Sequence, residues 1–453
     1  MDKFVKILRV ILVLFFLIWL MSWSSIRAYK FVERGNPGYY NQMIVELYNT
    51  PYEIRRWFHK NTTRPHLGIQ IDSVKAVLKI GEAGHLSLIN DSIFLLHYRL
   101  INKSSSEILL QNIKTGEIAQ KWIVPVDEIM IDSDSIREQL EKSYVNGNTP
   151  KDLNLEVPQN IDEIIIRHTM MLEDGSILFK VAPYGYIYKI DKYSKILWKS
   201  KKLAHHSIEL DENGNIWTCI VNLNNSTASK LGYKDDAILC LDQKGNEMYY
   251  KSLTDIFLEN NLFAKLIEST PVGSNWNNKY KDPYHLNDVK PVMKDGTFWK
   301  KGDIFLSLRN KSLVALFRPN TGKIIMNQQG PWLMQHDIDI LNDSIISIFN
   351  NNVSFLNDEV KSMSNVANYN FKTGKTQFNF INLFSTKYQG RKSELPSNDI
   401  FIEATLSGIY YILDSIGNIK YKFYVPYLPD PKFAQYPGWS RIYMKENGIF
   451  IEK

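Results

Sequence analysis

Apolar and polar positions alternate in a repeating unit that begins near residue 85 and continues to the C-terminus. Each unit has a turn rich in Asp, Asn or Gly, an apolar strand directly after it, a further strand, a second turn and a last strand. Turns at fixed offsets between alternating strands are typical of antiparallel sheet connected by hairpins. The first turns lie at residues 90–92, 174–176, 213–215, 301–303, 342–344 and 397–399.

Six such units, roughly 40 to 85 residues apart, predict an all-β fold, a six-bladed β-propeller over residues 81–453. The variable spacing places long insertions at about 124–165, 252–284 and 351–366. Residues 448–451 are a further strand that could close the ring onto a blade that the pattern does not identify. An unclosed β-sandwich is the alternative, although six matched pairs of turns disfavour it.

The N-terminal part of the chain has a different pattern. Residues 10–23 read VILVLFFLIWLMSW without a charge, and residues 6–9 extend this run to about the length that spans a bilayer. We expect residues 1–27 to form one transmembrane helix, an uncleaved anchor. A cleaved signal peptide is the alternative, disfavoured because no small-x-small cleavage site follows. Residues 28–80 have mostly helical spacing and predict a short helical stalk or lid.

The membrane orientation rests on a weak charge bias. Lys3, Lys6 and Arg9 precede the apolar run, and Arg27 and Lys30 follow it, so the positive-inside rule is nearly balanced. The short N-terminal tail favours leaving that tail in the cytoplasm. We therefore expect a membrane-anchored protein whose propeller lies on the periplasmic or extracytoplasmic side.

Composition narrows the function classes only a little. The net charge is +6, and the basic residues are scattered among acidic ones instead of forming a stripe. This distribution disfavours nucleic acid as a partner. The two cysteines, Cys219 and Cys240, could pair across a blade, but they are more simply interpreted as half-buried apolar side chains.

Histidines concentrate at one position of the repeat. In a propeller the first strand of each blade lines the central channel, and here that strand precedes each first turn. A histidine opens this strand in four of the six units, at residues 85, 168, 206 and 336, and His285 lies at the corresponding stretch of the fourth blade. Only nine histidines exist in the chain. The pattern therefore predicts a cluster of imidazoles at one mouth of the channel.

The chemistry of this cluster points to an anionic group. Imidazole can be a nucleophile, a proton carrier or a metal ligand near neutral pH. Arg309 ends the second strand of the fourth blade, and a guanidinium matches a tetrahedral oxyanion. Several histidines and one arginine without a carboxylate cluster predict a site for a sulfuryl or phosphoryl group. A metal site made by histidines of different blades is the alternative, although the short spacing of zinc motifs is missing.

The candidate residues divide into two groups. We expect catalytic roles for the residues that the repeat brings to one mouth, namely His206, His285, Arg309 and His336. We expect substrate-binding roles for His168, His205, Asn287 and Asn350. A structural role stays open for His168, and also for His205, which should point away from His206 on a regular strand. We assign no metal ligand and no cofactor.

Five segments together resemble the bacterial aryl sulfotransferase family, and the similarity covers roughly residues 165–350. They are HHSIELDENGNIW (205–217), HLNDVKPV (285–292), GDIFLSLRN (302–310), FRPNTGKI (317–324) and GPWLMQHDIDIL (330–341). The resemblance implies a six-bladed propeller. It also implies transfer of a sulfuryl group from an aryl sulfate, not from an adenylated donor, to a phenol through a histidine, with no metal.

The resemblance also assigns roles to individual residues. His336, in Gln335-His336-Asp337, matches the nucleophilic histidine, while His206, His285 and Arg309 match the residues that hold the transferred group. The family's well-studied members carry an N-terminal β-domain and a cleaved export signal, from which this chain departs. The acceptor could therefore be a membrane-associated or surface molecule such as a glycan, and a homodimer stays open. A non-catalytic, membrane-anchored scaffold for envelope or surface-glycan assembly is the alternative function.

Overall fold

A computed structural model describes residues 68–70, 77–82, 92–102, 105–145, 155–267, 282–356 and 359–453. All of them lie in one unit, Leu67–Lys453. Its strands include six sheets of four or five strands, antiparallel except for one short added strand, and each is made almost wholly from neighbouring segments of the chain. The prediction of an all-β, six-bladed propeller is confirmed.

The blades follow the chain in order. Blade 1 contains Ile93–Asn102, Ser105–Asn112 and Ile118–Ile123. Blade 2 contains Ile165–Met171, Ile177–Ala182, Ile187–Ile190 and Ile196–Lys199. Blade 3 contains Ala204–Leu210, Ile216–Asn222, Asp235–Leu241 and Glu247–Ser252. Blade 4 contains Leu286–Pro291, Ile304–Leu308, Leu313–Arg318 and Lys323–Gln329. Blade 5 contains His336–Ile340, Ile345–Asn350, Asn365–Asn370 and Lys375–Asn379. Blade 6 contains Arg391–Glu394, Ile400–Ala404, Ile409–Leu413 and Ile419–Tyr424.

The C-terminus closes the ring onto blade 1. Arg441–Glu446 pairs with Ile93–Asn102, and Ile449–Glu452 pairs with the other edge of Arg441–Glu446. The innermost position that the sequence analysis gave to residues 85–89 is thus filled by a strand from the other end of the chain. Residues 85–89, including His85, lie outside the described residues.

The insertions carry the helices. Val126–Val145 lies in the first predicted insertion, and Leu253–Glu259 and Phe263–Ile267 lie in the second. A hairpin of Val353–Leu356 and Glu359–Ser362 fills most of the third. A fourth helix, Ser226–Leu231, is capped by the Asn225 side chain, which accepts a hydrogen bond from Ala228 N. Short 3-10 turns occupy Ile161–Glu163, Arg309–Lys311 and Thr405–Ser407.

Two short strands change the predicted domain boundary. Gly68–Gln70 pairs with Phe433–Gln435, and Leu78–Lys79 adds a parallel strand to blade 6. The propeller unit therefore starts before residue 81. The rest of the predicted 28–80 helical segment and the predicted 1–27 anchor lie outside the described residues. Within the described ranges, no helix is long and apolar enough to cross a membrane.

Carboxylates join the blades near the channel. Asp236 of blade 3 accepts a hydrogen bond from Leu286 N of blade 4 at 2.8 Å. Asp288 of blade 4 likewise accepts from Ile338 N of blade 5 at 2.7 Å. Because a buried amide without a partner is costly, these contacts fix the start of one inner strand against the preceding blade.

Further from the channel mouth, ion pairs also join the inner strands of adjacent blades. Lys290 of blade 4 lies 3.2 Å from Glu209 of blade 3 and 3.1 Å from Asp339 of blade 5. The carboxylate of Glu452, in the C-terminal strand, pairs with Arg391 and Arg441. These contacts hold the inner strands of adjacent blades at a fixed spacing, and with them the side chains at the channel mouth.

Candidate active site

The inner strands of blades 2 to 5 are irregular at the same place. Their pairing with the second strand shifts between Arg167 and Met170, between His205 and Ile208, between Leu286 and Asp288, and between His336 and Ile338. A residue with positive φ lies inside three of these shifts, namely His168 at 54°, His206 at 57° and Asp337 at 44°, and His285, at 50°, lies just before the shift in blade 4. Bulges of this kind re-aim side chains, and holding a non-glycine residue there costs roughly 1–2 kcal/mol.

Three imidazoles converge at this irregular edge. The ring of His206 lies 4.8 Å from that of His285 and 6.0 Å from that of His336, measured between centroids. Burial lowers the pKa of all three side chains, and mutual repulsion lowers the pKa of His206 further. The rings are therefore neutral at neutral pH before a substrate binds. The structure thus brings these three predicted residues together.

His336 is held in one tautomer. Its Nδ1 lies 2.6 Å from Oδ1 of Asn351, which can only accept, so Nδ1 carries the proton and donates it. The amide orientation is fixed because Asn351 Nδ2 donates to the backbone oxygens of Thr386 and Gln389. His336 is 1% exposed. Its Nε2 is thus an unprotonated nitrogen with a free lone pair.

Arg309 offers unused donors to the same site. It begins the turn after Ile304–Leu308 and is 4% exposed. Its Nη1 donates to Asn310 Oδ1, whereas Nε and Nη2 have no hydrogen-bond partner among the described residues. Burial lowers its pKa to about 10, so the guanidinium stays charged. Its charge lowers the pKa of both His285 and His336, in addition to burial, because the three groups are close.

Carboxylates stand behind two of the histidines. Nδ1 of His285 donates to Asp282 Oδ2 at 2.6 Å. His205 Nε2 lies 3.1 Å from Asp236 Oδ1, and His205 Nδ1 lies 2.8 Å from His206 Nδ1. The Asp236 carboxylate beside Nε2 favours the tautomer of His205 with the proton on Nε2, which leaves its Nδ1 to accept a hydrogen bond from Nδ1–H of His206. His205 therefore supports His206 from behind, and the bulge explains why two successive residues contact each other.

His168 occupies a neighbouring position in the ring. Its imidazole centroid lies 4.5 Å from that of the Trp439 ring, and the His336 ring lies 6.2 Å from the same Trp439 ring. Burial, with Lys180 and Arg441, keeps the pKa of His168 well below its usual value. Neither ring nitrogen has a hydrogen-bond partner among the described residues. His168 thus lies beside the three imidazoles, separated from His336 by an indole.

The two predicted asparagines differ. Asn287 donates to Gln335 O at 2.7 Å, and its buried Oδ1 has no partner within the described part of the chain, so it can still accept from a substrate. The side chain of Asn350 is engaged by protein groups, and its substrate-binding role stays a prediction. Its Oδ1 accepts from Leu333 N and Asn352 N and its Nδ2 donates to Asn365, which makes it a structural residue of the loop.

Sequence reasoning missed Asn351, Asp282, Asp236 and Tyr388. Asn351 contacts the candidate nucleophile, and the Tyr388 ring lies 5.2 Å from the guanidinium of Arg309. Asp282 precedes His285 by three residues, a spacing that could have indicated the pair. Asp236, Asn351 and Tyr388 follow irregular connections and leave no periodic signal.

The arrangement combines a neutral nitrogen nucleophile, two further imidazoles and a guanidinium with free donors. Such a set can accept a tetrahedral anionic group, attack its central atom and stabilise the charge on its oxygens. Across the residues that the structure describes, no group of three or more His, Cys, Asp or Glu side chains is placed to hold a metal ion.

A family model described as arylsulfotransferase (ASST) matches residues 168–424, which is more than half of the 453-residue chain. All eight predicted site residues fall inside the matched range. A comparison with curated proteins finds no significant match.

Several solved structures resemble the chain only distantly. A protein of unknown function from Bacteroides caccae has 11% identity and a TM-score of 0.47, covering 79% of this chain and 100% of that one. Virginiamycin B lyase from Staphylococcus aureus has 12% identity and a TM-score of 0.34, covering 64% and 84%. The Pan2 WD40 domain of Neurospora crassa has 10% identity and a TM-score of 0.39, covering 79% and 80%.

Proposed function

Because the chain belongs to the arylsulfotransferase (ASST) family, it is a sulfotransferase, and we propose that it works through a sulfo-histidine at His336. In this proposal an aryl sulfate is the donor, and a phenolic or other hydroxyl group is the acceptor. One observation carries it. His336 is a buried, neutral imidazole whose tautomer leaves Nε2 unprotonated, beside an arginine with two free donors.

The first half-reaction loads the histidine. The Nε2 lone pair of His336 forms a bond to the sulfur of the donor while the sulfur–oxygen bond to the aryl group breaks. The electron pair of that bond goes to the leaving phenolate oxygen. His285 in its imidazolium form gives this oxygen a proton. The negative charge of the bound donor favours that form, since it opposes the effects that lower the pKa of His285.

The second half-reaction reverses these roles. The oxygen of the acceptor attacks the sulfur of sulfo-His336 and loses its proton to His285. The nitrogen–sulfur bond breaks, and its electron pair returns to Nε2. His285 thereby regains the proton that it donates in the next cycle. Two steps of this kind replace one difficult transfer by two easier ones.

Charge stabilisation is assigned to Arg309. In both transition states negative charge spreads over the sulfuryl oxygens, and the free Nε–H and Nη2–H groups of Arg309 suit two of them. Removing one such preorganised donor typically costs about 10²–10³ in rate. His206, whose Nδ1–H points to His205, and Asn287, whose free atom is Oδ1, instead offer acceptors to the hydroxyl group of the acceptor substrate.

Release of phenol from a panel of aryl sulfates tests the proposal. The wild-type protein should release phenol, and His336→Asn should abolish the release. His97→Asn is the matched control, because His97 is also a buried histidine but bonds to Gln111 inside blade 1. No release by the wild type from any donor, or release by His336→Asn at the wild-type rate, would contradict the proposal.

We also propose an extracytoplasmic location at a membrane, with an acceptor on the membrane or cell surface. The support is the uncharged run at residues 10–23, which residues 6–9 extend to about the length of a bilayer span. Protease protection in spheroplasts tests the location, and accumulation of the propeller in the cytosol would contradict it. Full turnover of a truncated propeller with soluble phenols alone would argue against the membrane acceptor.

A further inference from the structure

A buried lysine lies directly behind the histidine cluster. Lys234 is 3% exposed and directly precedes the strand Asp235–Leu241. Its Nζ lies 3.1 Å from Asp236 Oδ1 and 3.2 Å from Asp282 Oδ1. Burial alone would lower its pKa, but the two carboxylates outweigh burial and raise the pKa well above its usual value. The ammonium is therefore charged and shared by two carboxylates.

Each of these carboxylates contacts a different histidine. Asp282 accepts from His285 at 2.6 Å. Asp236 lies 3.1 Å from His205, which in turn contacts His206. Since the rings of His206 and His285 lie 4.8 Å apart, the contacts form a closed loop of six side chains.

We propose that Lys234 is a positioning residue that joins the two Asp–His pairs into one charged unit and sets how tightly His285 holds the proton that it exchanges with phenolic oxygens. This inference rests on the proposed function. It assigns to Lys234 an effect on proton transfer and none on the attack by His336.

The charges explain why the lysine matters. Asp236 and Asp282 both have pKa values lowered below the usual range despite burial, so both are ionised. Lys234 neutralises one of these two charges, and Arg309 faces the site with another positive charge. Loss of the ammonium would leave two buried carboxylates against His205 and His285. The imidazolium of His285 would then be stabilised, and its proton would leave less readily.

The direction of the effect follows from the groups that face His285. Burial, Lys234 and Arg309 lower its pKa, and Asp282 raises it, while His206 and His336 face it from the neighbouring blades. Replacing Lys234 by methionine removes a positive charge that lowers the pKa of His285. The base form of His285 should therefore appear only at higher pH. Replacing Asp282 by asparagine removes the negative charge that raises the pKa of His285. The acid form of His285 should therefore persist only at lower pH.

The two half-reactions separate these effects. The burst of 4-nitrophenol from 4-nitrophenyl sulfate reports the loading of His336, and transfer to added phenol reports the second step. Lys234→Met should slow the second step at neutral pH at least about tenfold more than the first, since general base catalysis contributes about 10²–10⁴-fold. The second step should recover as the pH rises. Asp282→Asn should shift its profile in the opposite direction.

Matched variants keep the test decisive. Lys234→Arg should restore the wild-type pH profile, because it keeps the charge. Lys189→Met, which removes another buried lysine remote from the site, should leave the profile unchanged. If Lys234→Met does not fold, the pH profiles of Asp282→Asn and Lys234→Arg decide whether the inference holds. Equal slowing of both steps at every pH, or profiles that shift in the same direction in Lys234→Met and Asp282→Asn, would overturn the inference. A wild type without a burst would instead overturn the proposed function.

Discussion

Asn351→Ala tests the claim that the tautomer of His336 is imposed by its neighbour. Asn351 Oδ1 is the acceptor for Nδ1–H of His336, and the contact is fully buried. Without this acceptor, Nδ1–H has no fixed partner and the ring can move its proton to Nε2. An imidazole protonated at Nε2 has no lone pair to offer the sulfur.

The expected loss follows from the burial of the contact. Removing one partner of a buried hydrogen bond costs about 1–3 kcal/mol. If that cost appears wholly as a loss of the reactive tautomer, the loading rate falls by about 5- to 150-fold. Substrate affinity should change less, because Asn351 contacts the nucleophile and its loop but offers no free donor to the anion.

The assay is the pre-steady-state burst of 4-nitrophenol, combined with the ¹⁵N chemical shifts of the His336 ring. Asn351 also donates to the backbone of Thr386 and Gln389, so its loss could loosen that loop. Ser364→Ala is the matched control for the loop, because Ser364 Oγ donates to Thr386 O and to the backbone oxygen of Asn351, while this change leaves the Asn351 side chain beside His336. An unchanged burst in Asn351→Ala, or an equal loss in Ser364→Ala, would refute the reasoning.

Two further variants test the anion site and the ring closure. Arg309→Lys keeps the charge but loses the paired donors, so the burst rate should fall by about 10²-fold; a wild-type rate would contradict the role of the two free N–H groups. Glu452→Gln should lower the free energy of unfolding at pH 7 by about 2 kcal/mol, because the buried arginines Arg391 and Arg441 lose a partly exposed countercharge. Although burial opposes it, these two arginines lower the pKa of Glu452, so this stability is present above the unfolded-state pKa and is lost as the pH falls. Denaturation of both proteins at pH 7 and below pH 4 checks this, and a difference that does not shrink in acid would contradict it.

The propeller could be predicted because its information is local. Each blade is a meander of neighbouring strands, and the turns at residues 174–176 and 213–215 appear in the sequence as compact polar groups. The closure could not be assigned in the same way. Arg441–Glu446 pairs with Ile93–Asn102 across most of the chain, and no turn connects them. The strands at 68–70 and 78–79 were missed for the same reason, since they are short and pair with distant partners.

The site could be predicted only as far as the repeat reaches. His206, His285 and His336 lie at or beside the start of equivalent inner strands, so their convergence follows from the fold. The residues that contact and support these histidines lie on irregular connections, which leave no periodic pattern in the sequence. Which of Asn350 and Asn351 contacts His336 depends on how the chain leaves Ile345–Asn350, and the sequence pattern did not indicate Asn351.

The central claim is that the sulfuryl group passes through His336. Intact-mass analysis after brief exposure to an aryl sulfate without acceptor, followed by peptide mapping at neutral to alkaline pH, tests it most directly. The account predicts one added SO₃ unit on the peptide that contains His336, its loss when phenol is added, and no adduct in His336→Asn. Release of phenol without any adduct, or an adduct on another residue that transfers to phenol, would contradict the account.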